Sequence, residues 1–535
     1  MDISPELIAA AEQLIGLRFT AAERELMRDG LHKQLESYAQ LRSVALANDV
    51  PPALLFDPQP SPSFAPSSPP SNTESWAAAP ALAVPADLEQ LAFASVTQLA
   101  ALIRTRQVSS VALTEMYLRR LKRYDPMLRC VVSLTEELAL SQARRADDQL
   151  AAGHYRGPLH GIPWGAKDLL ATRGIRTTWG ATPFQEQMID ADATVVRRLA
   201  DAGAVLVAKL TMGELAWGDI WFGGTTKNPW NLAEGASGSS AGPAAATAAG
   251  LAGFTIGSET WGSIISPSAR CGVTGLRPSF GRVSRAGAMA LSWSMDKIGP
   301  ICRSVEDCAL VLQAISGPDG QDGTVSDRPF SWNPAVDLRQ LRIGYIKSDF
   351  DTERDNRAQD DQTLATLRAL GAELIPIALP DYPVNALAFI LFTEAAAAFD
   401  ELTRSDRDDL LVQQIQDAWP NMLRLARLIP AVEYIQANRI RTLIMRAMAD
   451  LMQTIDVYIA PASVGDNLLL TNLTGHPALA LPNGFSAAGT PTSITFNGRL
   501  YDEATLLAVA KQYQDATDFH LQHPAMHFSD AEIRD

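Results

Sequence analysis

Short apolar segments alternate with helical segments along most of this chain of 535 residues. Several of these apolar segments lack polar alternation and are predicted as strands buried on both faces, at 161–165, 204–210, 254–257, 341–346, 374–379 and 457–460. Helices are predicted at 194–202, 241–249, 304–315, 359–370 and 503–512. This order predicts an α/β fold with a mostly parallel or mixed β-sheet covered by helices.

Two segments precede this α/β region, which we place at 86–535. Residues 1–50 are predicted to form a helical hairpin, because Thr20 and Glu23 have capping-box spacing and apolar residues recur at helical intervals on both sides. Residues 51–85 are rich in Pro, Ser and Ala and are predicted to be a linker. The apolar faces of the hairpin should dock on the main body or on another copy of the chain, so a homodimer is an open arrangement.

Composition excludes several classes of protein. No apolar run approaches the roughly 18 residues of a membrane span, and a net charge of −15 without a basic cluster argues against nucleic-acid binding. The N-terminus lacks a basic, apolar signal sequence, so we expect a cytoplasmic location. The four cysteines form no CxxC pair, which predicts buried thiols, no disulfide framework and no metal site.

Lys167 follows an apolar predicted strand and is the first candidate catalytic residue. Burial disfavours the ammonium form, so a lysine at this place becomes a proton acceptor near neutral pH. The alternative is structural: Lys167 forms an ion pair with its neighbour Asp168.

Two serine segments accompany this lysine. Ser239 and Ser240 stand at the start of an alanine-rich predicted helix, where a serine is also typical of a simple helix cap. Ser263 lies in the glycine-containing loop 257–264, and successive N–H groups of such a loop can bind one oxyanion. Together the segments supply a candidate base, a proton relay and a nucleophile.

From about residue 95 onward the chain resembles the amidase-signature family. The resemblance rests on the order and spacing of several motifs: Gly157-Pro-Leu-His-Gly-Ile-Pro163 with Lys167-Asp168, Thr177-Thr-Trp-Gly180, Ala202-Gly-Ala-Val-Leu206 with Lys209, Ser237-Gly-Ser-Ser-Ala-Gly242, Cys271-Gly-Val-Thr-Gly-Leu-Arg-Pro278, Gly281-Arg-Val-Ser284, Asp296-Lys-Ile-Gly-Pro300 with Arg303-Ser-Val-Glu-Asp307, and Asn472-Leu-Thr-Gly-His-Pro477.

The resemblance implies an amidase that acts on linear amides through an acyl-enzyme. It implies Ser263 as nucleophile, Ser239 after a cis peptide bond as relay, and Lys167 as base. The oxyanion would be bound by backbone N–H groups of Thr260, Trp261, Gly262 and Ser263. No cofactor and no metal are implied, and the expected partner is a small amide or carbamate, with esters as further candidates. Substrate contacts are expected from Met212, Gly213, Trp217 and Trp261.

Three residues around the nucleophile depart from the pattern of the family. Glu259 replaces an aspartate, Trp261 replaces a glycine, and Ile265 replaces an arginine. Loss of that arginine removes a charge partner for the acid. Catalysis should survive these changes, whereas substrate preference should differ.

Two other functions remain open from the sequence. The chain could be an amidotransferase-type component of a larger assembly. Alternatively, Gly238-Ser-Ser-Ala-Gly242 could be the nucleophile elbow of an α/β-hydrolase esterase, with Ser240 as nucleophile and His476, His520, His523 or His527 as base. An elbow needs a strand directly before it, and residues 228–235 are predicted to be a loop.

Overall fold

A computed structural model describes residues 3–46, 53–54, 82–462 and 464–526. Its centre is one eleven-stranded mixed sheet with the strand order β1-β3-β2-β8-β10-β9-β14-β15-β13-β11-β12. The strands in chain order are β1 Val131–Leu134, β2 Pro163–Lys167, β3 Val205–Leu210, β4 Ile220–Trp221, β5 Gly224–Thr225, β6 Lys227–Asn228, β7 Asn231–Gly235, β8 Phe254–Glu259, β9 Thr274–Arg277, β10 Lys297–Cys302, β11 Ile343–Ile346, β12 Leu374–Ile377, β13 Val457–Pro461, β14 Ala478–Phe485 and β15 Pro491–Gly498.

Helices surround this sheet. In chain order they are α1 Pro5–Leu14, α2 Ala21–Arg42, α3 Val96–Arg104, α4 Ser110–Leu128, α5 Glu136–Ala151, α6 Thr194–Asp201, α7 Ala241–Ala248, α8 Ile265–Cys271, α9 Val305–Ile315, α10 Lys347–Asp351, α11 Arg357–Ala369, α12 Phe389–Ala398, α13 Asp400–Arg404, α14 Trp419–Ala426, α15 Ala431–Thr454, α16 Asn467–Thr474 and α17 Glu503–Asp515. The predicted α/β class is therefore confirmed.

Every predicted strand and helix of the α/β region is present, with ends shifted by a few residues. Central strands such as β2, β3, β10 and β13 are buried along their whole length, which explains why their sequences show no polar alternation. One prediction was wrong: residues 228–235 are not simply a loop, because β7 pairs with β6 in a separate two-stranded sheet. The two strands are short and mostly polar, so periodicity gave no signal for them.

The N-terminal hairpin is formed by α1 and α2. Thr20 caps α2, with Thr20 Oγ1 accepting from Glu23 N at 3.3 Å and the Glu23 side chain accepting from Thr20 N at 2.5 Å, which confirms the capping box. The apolar face of the hairpin packs on the main body through Leu425. Most of the predicted linker 51–85 lies outside the described residues.

Three further observations concern the described part of the chain. All four cysteines are free and buried, so no disulfide links them. None of the described helices is long and apolar enough to cross a membrane. No group of three or more His, Cys, Asp or Glu residues within the described ranges could hold a metal ion.

Candidate active site

The position of Lys167 follows from the pairing of β2 with β8. The two strands are parallel neighbours, with Ala166 opposite Ile256. Because parallel strands end at the same edge of a sheet, Lys167 at the end of β2 lies beside Ser258 near the end of β8. The serine segment 237–240 enters α7 above the same edge, so residues far apart in sequence meet there.

The Lys167 amine is fully buried and surrounded by oxygen atoms. Its Nζ lies 2.9 Å from Ser239 Oγ, 3.0 Å from Ser240 Oγ, 2.9 Å from Ser258 Oγ and 3.2 Å from the Ser258 carbonyl oxygen. Burial lowers the pKa of Lys167 from 10.5 to about 7, although the carboxylates of Asp296 and Glu259 act in the opposite direction. The neutral amine is therefore well populated near neutral pH.

Lys167 does not pair with Asp168. The Asp168 carboxylate contacts Lys209 Nζ at 3.0 Å instead and accepts hydrogen bonds from the N–H and hydroxyl of Thr178. Successive side chains at the end of a strand point to opposite faces, which separates Lys167 from its neighbour. The alternative in which Lys167 forms an ion pair with Asp168 was therefore wrong.

Ser239 and Ser240 differ in their environment. The peptide bond between Gly238 and Ser239 is cis, as the resemblance implies. Ser240 precedes α7, and its hydroxyl contacts the Ser258 carbonyl oxygen at 3.1 Å and accepts from Ser258 N at 3.2 Å. These contacts hold Ser240 against β8, whereas Ser239 Oγ is bound by Lys167.

Ser263 lies beside this pair and faces a cavity. The Ser240 N–H donates to the Ser263 carbonyl oxygen at 3.1 Å, which joins the two serine segments. Ser263 is slightly exposed, whereas Ser239 and Ser240 are completely buried. Its hydroxyl has no hydrogen-bond partner among the described residues and lines the cavity.

The loop before Ser263 has the features expected of an anion-binding turn. Within the described part of the chain, none of the N–H groups of residues 260–263 donates a hydrogen bond to another residue. Gly262 has φ of +87°, and an added Cβ would lie 2.9 Å from Leu468 Cδ2 and from Ser266 Oγ. Thr260 anchors the loop, since its hydroxyl donates to Asp296 Oδ1 at 2.5 Å.

The Glu259 carboxylate holds the backbone next to this loop through hydrogen bonds. Its Oε2 accepts from the N–H groups of Ile264 and Ile265 at 2.8 and 2.9 Å, and its Oε1 lies 2.7 Å from Arg277 Nη1 and 2.8 Å from Asn472 Nδ2. Burial alone would raise the pKa of Glu259, but the Arg277 guanidinium and these hydrogen bonds lower it overall. Arg277 thus supplies the positive charge that is lost where Ile265 replaces an arginine.

The cavity at Ser263 has a volume of about 160 Å³. It is lined by Ala216, Trp217, Gly218, Gly238, Thr260, Trp261, Ser263, Leu291, Leu391, Phe392 and Trp419. Trp217 stands edge-on to Trp419, with ring centroids 4.9 Å apart, and lies 6.0 Å from Phe392. Sequence reasoning missed Phe392 and Trp419, because α12 and α14 carry no motif and are far from the serine segments in sequence.

Of the four residues predicted to contact the substrate, two line the cavity. Trp217 and Trp261 line it. Met212 does not, because it is completely buried and packs under Gly180. Gly213 is a backbone support instead: its N–H donates to the Ser239 carbonyl oxygen at 3.3 Å, and an added Cβ would lie 2.0 Å from the Gly218 carbonyl oxygen.

The geometry does not support a nucleophile elbow at Ser240. In the described ranges its hydroxyl contacts Lys167 and Ser258 and no histidine. His476 Nδ1 pairs with Thr474, and burial lowers its pKa to about 4. His520 and His523 line a different cavity, and His527 lies outside the described residues.

Comparison with known proteins identifies the family. The family model described as Amidase matches residues 112–468, which include Lys167, both serine segments and the loop before Ser263. The chain belongs to the amidase family. It is therefore an enzyme of that family, and the predicted resemblance is confirmed.

Relatives of this amidase-family enzyme carry two kinds of name. It is 36% identical over 479 residues to a component of glutamyl-tRNA(Gln) amidotransferase from Methylococcus capsulatus, covering 81% of this chain and 98% of the relative. It is 31% identical to the solved peptide amidase of Stenotrophomonas maltophilia, with a TM-score of 0.72 over 80% of this chain and 98% of that one. A peptide amidase solved with the competitive inhibitor chymostatin matches at 30% identity and a TM-score of 0.73, over 82% and 100%.

Proposed function

We propose that this chain hydrolyses carboxamides to a carboxylic acid and ammonia or an amine, with Ser263 as nucleophile, Ser239 as relay and Lys167 as base. The observation that carries the proposal is the buried Lys167 amine, 2.9 Å from Ser239 Oγ and with a pKa of about 7. A hydroxyl needs a base to become a nucleophile at neutral pH, and this amine is able to accept a proton.

The proposed reaction has two halves. Ser263 Oγ attacks the carbonyl carbon while its proton passes to Ser239 and the Ser239 proton passes to Lys167. The C–N bond then breaks, and the proton returns along the same route to the leaving nitrogen. Water next attacks the acyl ester, gives its proton to the relay, and releases the carboxylic acid with Ser263 restored.

Negative charge on the carbonyl oxygen would be stabilised by the free N–H groups of residues 260–263. Loss of one such donor typically lowers a rate by about a hundred- to a thousandfold. Glu259, which fixes the following N–H groups of Ile264 and Ile265, would keep this loop in place.

The cavity supports an aryl or other apolar acyl group as the preferred substrate part. Trp217, Phe392 and Trp419 form an aromatic wall of the cavity that Ser263 also lines, and no charged side chain is among the described residues that line it. An apolar acyl group would gain free energy by leaving water there. Carbamates and esters present a similar carbonyl and are further candidate substrates.

A second candidate function is that of an amidotransferase component, which the names of the relatives favour. A glutamine donor would bring an α-ammonium and an α-carboxylate, which need charged partners when they are buried. Two basic residues line the adjoining cavity: Lys297, whose charged form is disfavoured because burial lowers its pKa, and Arg285. The Arg285 guanidinium is already bound by Asp322, Thr324 and the Trp293 carbonyl oxygen. The described site therefore favours the first proposal.

The test is ammonia release from benzamide, acetamide and glutamine by the isolated chain. We expect benzamide to be cleaved with the highest kcat/KM, and Ser263→Ala to lose all three activities. Exclusive cleavage of glutamine would support the amidotransferase function instead. If none of the three is cleaved while a fluorophosphonate still labels Ser263, the carboxamide proposal is wrong and the nucleophile assignment survives.

A further inference from the structure

Two helices supply the Phe392 and Trp419 rings of the aromatic wall, and both also contact the N-terminal hairpin. Phe392 lies on α12 and Trp419 begins α14. The same helices also contact α2, through Phe389 on α12 and Leu425 on α14. We propose that the hairpin is a positioning element for this wall and thereby sets the preference for the acyl group, an inference that rests on the proposed function.

The contacts to α14 are close and directional. Asn421 Nδ2 donates to the Leu26 carbonyl oxygen at 3.2 Å, and Gln34 Nε2 donates to the Leu425 carbonyl oxygen at 3.2 Å. Gly30 packs directly on Leu425, since an added Cβ would lie 2.3 Å from Leu425 Cδ1. A larger side chain at position 30 would therefore have to displace the Leu425 side chain on α14.

A buried ion cluster strengthens the same interface. Arg424 Nη2 lies 2.6 Å from Glu23 Oε1 of the hairpin and 2.8 Å from Asp408 Oδ2 of the main body. Arg424 is nearly completely buried and also lies 3.0 Å from Asp409 Oδ1. Loss of the Glu23 charge would therefore weaken the tie between this cluster and the hairpin, while Asp408 and Asp409 would still balance the guanidinium. Glu23 also caps α2 through Thr20, which couples the start of that helix to α14.

The contacts to α12 and α15 extend along the rest of α2. The Tyr38 ring stands edge-on to Phe389 with centroids 5.8 Å apart. Arg42 pairs with Glu433 on α15, where Arg42 Nε donates to Glu433 Oε1 at 3.1 Å. The hairpin thus contacts each helix of the wall and the long helix that follows.

Phe392 is the direct link between the hairpin and the substrate cavity. It lines the cavity at Ser263 and also a second cavity of about 190 Å³ between α2 and the two wall helices. Gly30, Gln34 and Ser37 of the hairpin line the second cavity. A shift of α2 toward or away from the main body therefore changes the space behind the Phe392 ring. Because α14 is only two turns long, it has little intrinsic stability of its own to resist such a shift.

The test replaces Gly30 by leucine in the full chain, with Ala39→Leu as the matched control. Ala39 is an exposed residue of the same helix, so its substitution adds the same side chain without pressing on α14. We expect Gly30→Leu to raise KM for benzamide at least tenfold and to change kcat/KM for acetamide less than twofold. Ala39→Leu should leave both substrates unchanged.

A binding measurement separates this inference from the proposed function. In a Ser263→Ala background, calorimetric titration with benzamide requires no turnover, and we expect Gly30→Leu to weaken binding at least tenfold. Glu23→Gln is a smaller change at the same interface and should shift the ratio of kcat/KM for benzamide to kcat/KM for acetamide in the same direction. This variant tests the inference if Gly30→Leu does not fold. Unchanged selectivity and unchanged benzamide binding in the folded variants would overturn the inference, even if the wild-type chain hydrolyses both amides.

Discussion

Glu259 and Arg277 form a completely buried ion pair, with 2.7 Å between Glu259 Oε1 and Arg277 Nη1. The carboxylate also accepts hydrogen bonds from the N–H groups of Ile264 and Ile265, which directly follow Ser263. The cation that balances the acid of the nucleophile loop therefore comes from the end of β9 rather than from position 265, two residues after the nucleophile.

Removal of one partner of this pair should destabilise the fold. We expect Arg277→Met to lower the free energy of unfolding by about 3–5 kcal/mol, because the carboxylate of Glu259 would be left buried without its cation. Urea unfolding at pH 7.5 measures the effect. Arg270→Met is the control: Arg270 pairs with Glu234 at the surface, and its loss should change stability by about 1 kcal/mol or less. Equal effects of the two substitutions would contradict the importance of the buried pair.

Acylation of Ser263 should depend on pH through Lys167. Burial lowers the pKa of this lysine to about 7, and only the neutral amine accepts a proton. The rate of fluorophosphonate labelling should therefore rise about tenfold per pH unit below pH 7 and level off above it. A rate that stays constant between pH 5.5 and 8 would argue against Lys167 as the base.

We expect Lys167→Met to change the pH dependence of stability and to lower the activity of the chain. Because the folded pKa of Lys167 lies below the unfolded value of 10.5, the unfolded wild type binds more protons between about pH 7 and 10, so its stability rises with pH in that window. The methionine variant lacks this contribution. Its stability relative to wild type should be highest below pH 7 and fall by up to about 1.4 kcal/mol per pH unit above it.

The activity of the same variant should fall at least about a thousandfold. Thermal unfolding monitored by circular dichroism at pH 6, 8 and 10 checks the stability change, and ammonia release checks the activity. Lys122→Met is the control, since Lys122 is half exposed and pairs with Glu136 at the surface. An active Lys167→Met enzyme would refute the proton relay.

Ser239, Ser240 and Ser263 should respond differently to alanine substitution. Ser263→Ala should lose all turnover and all fluorophosphonate labelling. Ser239→Ala should lower turnover by about a hundred- to ten-thousandfold, the usual range for loss of a proton-transfer group. Ser240→Ala should keep labelling at Ser263 and mainly lower stability, because its hydroxyl is bound to Ser258. Peptide mapping of the label on Ser240 would reverse the assignment.

Trp261 should affect substrate preference more than the chemical step. Its indole lines the rim of the cavity and is 39% exposed, while its backbone N–H is part of the loop before Ser263. We expect Trp261→Ala to lower kcat/KM for benzamide relative to acetamide by about fivefold, as the loss of an aromatic contact of about 1 kcal/mol would do. Parallel kinetics with the two amides measure this ratio, and equal losses for both would indicate damage to the loop itself.

The three segments of the proposed relay could be recognised in the sequence because each is short and has strong local constraints. Lys167 ends a strand buried on both faces, and the segments around Ser239 and Ser263 contain the small residues that such close packing requires. The order of elements likewise predicted the mixed α/β sheet. These features depend on burial and backbone geometry, which a sequence records locally.

Other parts of the site depend on contacts between distant segments. Asp168 was a plausible partner for Lys167 until the register of β2 and β3 placed Lys209 beside it. The Arg277 cation and the Phe392 and Trp419 rings come from elements whose own sequences show only a strand or a helix. Nothing local in those elements indicates which face will meet Ser263, so only the tertiary structure assigns them to the site.

Among the described residues, Phe392 is the only one that lines both the cavity at Ser263 and the second cavity between α2 and the two wall helices. The two spaces measure about 160 and 190 Å³. We expect the replacement of Phe392 by a small residue to connect the two spaces without any change at Lys167, Ser239 or Ser263. The scaffold therefore offers a place where acyl-chain length can be redesigned independently of the chemistry, with the N-terminal hairpin as the far wall of the enlarged chamber.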